Sequence, residues 1–226
     1  MTNNKKVSFI TAVYNDQENI SRSIESMQAQ TYKNIEIVIL DDCSTDKTYD
    51  ICKKLSLKDS RIKLYKNDIN LGLTRSLNKL INFSSGEFIA RQDSDDTSVD
   101  FRIETQIKFL EEYKLDLSYS RAFIKESNKV IPNFSYYLPL KLIVKYKNPF
   151  IHGTLFIKKD VITALGGYDE FFYFSQDYKL IKDVLKKGYR VKIDRKVLYN
   201  LNMKNNISTK YKDIQKIYAN MTNEKI

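Results

Sequence analysis

Cysteine is scarce in this 226-residue chain. Cys43 and Cys52 are the only two, too few and too oddly spaced for a disulfide framework or a zinc site. Long apolar runs are missing too. The opening MTNNKKVSFITAVYN lacks the hydrophobic stretch of a secretory leader, and no segment approaches the roughly 20 apolar residues of a membrane span, so a cytoplasmic protein is expected. There is one histidine, His152, and a lone histidine more often serves structure than chemistry. Internal repeats, low-complexity segments and long linkers are absent, which favours one domain over residues 1–200. The segment TAVYNDQEN holds no glycine-rich, arginine-containing loop, as a nucleotidyltransferase would need after its first strand.

What is present is a globular composition, 42% hydrophobic and 12% aromatic, in a chain long enough to bury a sizeable core. The net charge of +10 is unevenly placed. Residues 1–178 hold 25 basic against 24 acidic side chains, whereas residues 179–226 hold 13 against 4. Such a basic end can attract nucleic acid, an anionic membrane face or a phosphorylated substrate, or can simply be a solvated face.

Hydrophobic periodicity predicts alternating strands and helices. Val7 to Val13 is a β-branched apolar run. Asn15 and Glu18 have the spacing of a helix cap, and Ile20, Ile24 and Met27 follow at helical intervals. Ile35 to Leu40 reads as a second strand, Ile62 to Tyr65 as a third and Phe88 to Ala90 as a fourth, with helices between them. The repeated β-α unit predicts a mostly parallel central sheet flanked by helices, Rossmann-like in kind. Beyond residue 98 the pattern becomes α+β. A helix is expected over Phe101 to Tyr113, strands over Leu115 to Ile124, Phe150 to Ile157 and Tyr189 to Ile193, and a helix from Asp177 to Lys187. The tail, 201–226, is expected to be helical from Ser208 onward, with Tyr211, Ile214, Ile217 and Tyr218 on one face.

The acidic clusters fall where such a sheet binds ligands. Asp41-Asp42 and Asp93 to Asp96 each follow a predicted strand, and carboxyl ends of parallel strands line one edge. Residues two apart on extended chain point the same way, so Asp93 and Asp95 can aim at one point. Magnesium or manganese suits such a pair, since these ions take one or two carboxylates and complete their shell with water and phosphate oxygens. The same aspartates also read as turn formers and a cap for the next helix.

Five segments in order, VSFITAVYN, IVILDDCSTD, NLGLTRSLN, GEFIARQDSDD and GGYDEFF with SQDYKL, resemble the bacterial family 2 glycosyltransferases of GT-A fold across nearly the whole chain. The resemblance implies a nucleotide-binding half, 1–98, and a smaller acceptor half, 99–200. It implies a donor pocket walled by Ala12, Tyr14 and Asn15 with Glu18 nearby, Asp42 bonded to the base, Arg75 near the nucleotide, and Asp93-Ser94-Asp95 as the DXD motif. Asp95 would ligate a manganese or magnesium ion directly, with Asp93 beside it and Asp96 in support. Asp177 matches the general base of an inverting transfer, and Gln176, His152 and Asp96 are candidates for the acceptor side. The partners implied are a nucleotide-sugar, a UDP-hexose above all, and a glycan or lipid-linked glycan acceptor. The basic tail would rest on an anionic membrane, and no nucleic acid is expected. Two positions depart from the pattern: Cys43 stands where glycine is common, and YNLNMKNNIS lacks the histidine of many relatives, leaving Asn202 or a lysine to substitute. A sugar-nucleotide binder without catalysis, or a polyanion-binding module built on the tail, is the alternative.

Overall fold

The computed structural model describes residues 5–133, 139–203 and 212–224. Its centre is a nine-stranded sheet in the order β3-β2-β1-β4-β8-β6-β9-β5, with β7 paired to β6. The strands are β1 (Val7–Val13), β2 (Ile35–Asp41), β3 (Ile62–Lys66), β4 (Phe88–Arg91), β5 (Thr97–Ser98), β6 (Leu117–Ile124), β7 (Lys129–Ile131), β8 (Phe156–Lys158) and β9 (Val191–Leu201). The first four run parallel, as the β-α repeat predicts. From β8 onward the sheet is mixed: β8 is antiparallel to β4 and β6, while β9 is parallel to β6.

The helices are α1 (Ile20–Gln28), α2 (Thr48–Ser56), α3 (Leu73–Phe83), α4 (Arg102–Tyr113), α5 (Leu140–Ile143), α6 (Lys159–Ala164), α7 (Gln176–Lys186) and α8 (Lys212–Glu224). They cover both sheet faces, which is why β2 is apolar at nearly every position rather than at alternate ones. Ile37 and Ile39 join α1, α2 and α4 in one apolar cluster, and Val38 and Leu40 join α3, α6 and α7 in the other.

Three local expectations change. Helix α1 begins at Ile20 rather than after Asn15, because Asn15 takes a left-handed φ of 49° and turns its side chain to Thr45, whose backbone N–H it accepts at 2.8 Å. Phe150 to Ile157 is extended only from Phe156, since a 3-10 turn occupies His152–Thr154. The last strand runs to Leu201, well past Ile193, and its far end pairs with β5. The tail helix is seen as α8; Ser208 and Tyr211 lie outside the described residues. It lies against α7, where Lys182 donates to Thr222 at 2.9 Å and Tyr218 meets the rings of Phe172 and Phe174.

At the amino edge of the sheet sits a buried polar knot. Glu36 accepts from the Ser8 hydroxyl at 2.5 Å and from the Ser85 amide and hydroxyl at 2.6 and 2.8 Å, and pairs with Lys6 at 2.9 Å. Burial opposes the charge on Glu36, but these donors outweigh it and hold the carboxyl at about 2.

Candidate active site

The parallel register puts Asp41 level with Val13 and Arg91 level with Ile10, so the chain leaves β1, β2 and β4 on one edge. There a cleft of about 2370 Å3 opens. That exceeds the roughly 300–1,000 Å3 of a single small-ligand pocket and leaves room for two reactants. It is lined by Ala12, Tyr14, Asn15, Glu18, Asp42, Asp93, Ser94, Asp95, Asp96, His152, Gln176 and Asp177. Of the expected site residues only Arg75 is outside this lining. It is exposed and pairs with Glu170 at 3.3 Å, on the outer side of α3.

Asp42 is buried and already heavily used. Its Oδ1 accepts from Asn67 Nδ2 at 2.7 Å and Leu71 N at 2.9 Å, and its Oδ2 accepts from Gly72 N at 2.8 Å. These bonds shape the turn before α3. A carboxylate offers about four acceptor positions, so one remains, on Oδ2.

The acidic loop is held from several sides. Arg91, 3% exposed, grips Asp93 with two parallel bonds of 2.7 and 2.5 Å. Burial works against the Arg91 charge, but Asp93 beside it raises its proton affinity overall. The Asp93 amide donates to the Tyr199 hydroxyl at 2.9 Å, Ser94 donates to Asp16 at 2.7 Å, and the Asp95 carbonyl accepts from Arg22 at 3.1 Å. Asp96 accepts from the Asn202 amide at 2.7 Å.

Both oxygens of Asp93 are thus turned to Arg91, not jointly with Asp95 at one point as the spacing suggested. Asp95 carries the unbalanced charge: burial first, then Asp93 and Asp16, push its carboxyl up to about 7. Asp96 is raised for the same reasons, burial and then its two neighbours. Among the described residues no lysine or arginine pairs with Asp95, and no three side chains of the ligating kind gather to hold a metal ion by themselves. Such a site fits a magnesium-type ion that takes one or two carboxylates and finds its other ligands on a phosphorylated substrate.

Asp177 also lines the cleft, from the first turn of α7. Burial raises its proton affinity, opposed by backbone amides at the helix start, by Arg91 and by Asn148, which donates to its Oδ2 at 2.6 Å. Gln176 is buried beside it. His152 bonds Tyr168 through Nε2 at 2.8 Å, and burial, then Arg91, keeps its ring neutral. It therefore offers no cation to a phosphate. Local periodicity could not single out Arg91, Asn148 or Tyr199; Arg91 stood in the EFIARQDSDD stretch, and Asn148 before Pro149 is a turn signal.

A large cleft at the carboxyl edge, lined both by an acidic loop and by a carboxylate whose proton affinity burial raises, is the arrangement of a group-transfer enzyme. Residues 8–166 match the glycosyl transferase family 2 pattern. The chain belongs to that family, and its fold is GT-A. It is 36% identical over 188 residues to the Escherichia coli UDP-Glc:alpha-D-GlcNAc-diphosphoundecaprenol beta-1,3-glucosyltransferase WfaP, covering 82% of this chain and 72% of that one. It is 35% identical to the putative glycosyltransferase EpsE of Bacillus subtilis, over 74% of this chain and 62% of that one. Among solved structures, S. aureus TarS in complex with UDP-GlcNAc superposes with a TM-score of 0.75 at 21% identity, over 87% of this chain and 58% of that one. The chain thus spans about three-fifths of the length of EpsE and of that TarS structure. The mannosyltransferase PcManGT of Pyrobaculum calidifontis, solved with GDP-Man and Mn2+, gives 0.70 at 18% identity, over 87% of this chain and 56% of that one.

Proposed function

We propose that the protein is an inverting, metal-dependent hexosyltransferase that uses a UDP-sugar to extend a lipid-linked surface glycan. The observation that carries the reading is that the acidic loop Asp93 to Asp96 and Asp177 line one cleft. The donor class and acceptor follow the relatives: WfaP is named for UDP-Glc and a diphosphoundecaprenol acceptor, and TarS is seen with UDP-GlcNAc.

The remaining acceptor position on Asp42 takes an imide N–H, as on uracil N3, whereas cytosine has no hydrogen there. Ala12, Tyr14 and Asn15 wall the base and ribose. Asp95, with Asp93 close by, would hold the divalent ion, which would supply positive charge to offset that building on the departing diphosphate. Asp177 takes the proton of the acceptor hydroxyl as it attacks the far face of the sugar, and burial, by raising its proton affinity, favours that transfer. A single displacement inverts the anomeric centre. The exposed Tyr146 and Ile214 line the cleft together with Lys147, and Leu142 of α5 and Ile217 of α8 are exposed too, an amphipathic set suited to an anionic membrane where such acceptors reside. Among the described residues no helix is long and apolar enough to cross a membrane.

Calorimetric titration of UDP, GDP and dTDP with and without manganese, on the wild type and Asp95→Asn, tests the reading. UDP is expected to bind with the ion and to lose at least about tenfold in affinity, roughly 1.4 kcal/mol, without the ion or without the Asp95 carboxylate. Equal binding under all conditions would remove the ion's role, and no nucleotide binding would remove the donor class.

A further inference from the structure

The loop between α5 and the 3-10 turn contains a side chain locked at both ends. Asn148 precedes Pro149, which has no N–H, and its Oδ1 reaches over the proline to accept from Phe150 N at 3.0 Å. Phe150 is buried and packs against Tyr119, with ring centroids 4.4 Å apart, so the turn is anchored in the core. An amide N–H can only donate, so this contact fixes which end of the Asn148 amide is oxygen. The nitrogen end is thereby aimed at Asp177 and donates to Oδ2 at 2.6 Å.

We infer that Asn148 is a positioning residue for Asp177, fixing the plane of its carboxylate toward the cleft and keeping it ionised between turnovers. The inference rests on Asp177 as the base. Asp177 is part-buried at the cleft wall: among the described residues, Tyr119 of β6, Tyr168 of the loop after α6 and Arg91 of β4 are the titratable and charged groups that act on it. The tyrosines are held neutral by burial and Arg91 is shared with Asp93; the backbone amides of Asp177 and Tyr178 oppose burial at the helix start, and among the described residues the Asn148 amide is the side-chain donor bonded to Asp177. Its loss favours the protonated form, which cannot act as a base.

Two substitutions separate positioning from mere folding. Asn148→Asp retains an oxygen for Phe150 N, and hence the turn, but replaces the donor to Asp177 with a like charge. Asn148→Ala removes both bonds. Titration of the Asp177 carboxyl by carbon-13 NMR on the full chain, assigned with Asp177→Asn, needs no substrate. The midpoint is expected to move up by about one pH unit in Asn148→Ala and further in Asn148→Asp, a tenfold or greater loss of the ionised form at pH below the midpoint. An unchanged midpoint in Asn148→Asp would overturn the inference, as would a shift in Asn148→Ala alone, since a structural role spares the variant that keeps the turn. Sugar transfer from UDP-glucose, the donor in the name of WfaP, assayed in wild type and Asp177→Asn, judges the base reading separately. Turnover there removes the base, whatever the titration shows.

Discussion

The Arg91–Asp93 clamp predicts an asymmetry in stability. Arg91 is 3% exposed and cannot shed its proton, whereas Asp93 is 34% exposed at the cleft and can recruit water. Removing the acid strands a buried guanidinium whose Nε already has no partner in the described structure. Breaking a buried pair costs about 3 to 5 kcal/mol, and Asp93→Ala belongs near about 4. Arg91→Met leaves an aspartate that can hydrate and should cost less, about 2 kcal/mol. The double variant removes both charges and should lie well above Asp93→Ala alone, because a buried pair replaced by apolar groups is often close to neutral. For a chain of 226 residues, 4 kcal/mol corresponds to a fall in Tm of about 8 to 16 °C. Equilibrium urea unfolding with a chelator present, so that divalent ions play no part, measures all four proteins. Additive losses, or an Asp93→Ala variant within about 1 kcal/mol of wild type, would refute the reasoning.

The Glu36 knot predicts acid sensitivity away from the cleft. Its folded value of about 2 lies below the ordinary 4.5, so its stabilisation is full above about 4.5 and is lost as pH falls toward 2. Allowing for screening at the part-exposed Lys6, the contribution is about 1 to 2 kcal/mol, and the stability gap between wild type and Glu36→Gln should narrow from pH about 5 to about 3 in urea unfolding. A gap independent of pH would exclude the ionised knot. On α8, Ile214→Asp with Ile217→Asp should weaken sedimentation with vesicles containing anionic phosphatidylglycerol and leave UDP binding unchanged. Equal sedimentation of wild type and variant would remove the membrane reading.

Much of the parallel β1–β4 portion was legible in the sequence because its strands are short β-branched runs buried on both faces and its acidic clusters directly follow them. What escaped depended on partners far along the chain. The start of α1 shifts because Asn15 bonds Thr45, thirty residues away. The strand expected from Phe150 shrinks because Asn148 ties a turn across Pro149. Spacing alone pointed Asp93 and Asp95 at one target, whereas the neighbouring Arg91 turns Asp93 aside. Arg75 sits in a helix that approaches the cleft, but its position on that helix faces outward to Glu170.

The final strand deserves a different emphasis when enzymes of this kind are recombined. Gly153 packs so closely on Tyr199 that a methyl group there would fall 2.3 Å from its hydroxyl, and the same hydroxyl supports the Asp93 amide while Asn202 supports Asp96. A chimaera joined just after Asp96 would therefore exchange more than the second half of the cleft lining. It would hand the donor's acidic loop a foreign pair of supports, and a Gly153–Tyr199 couple would have to travel together.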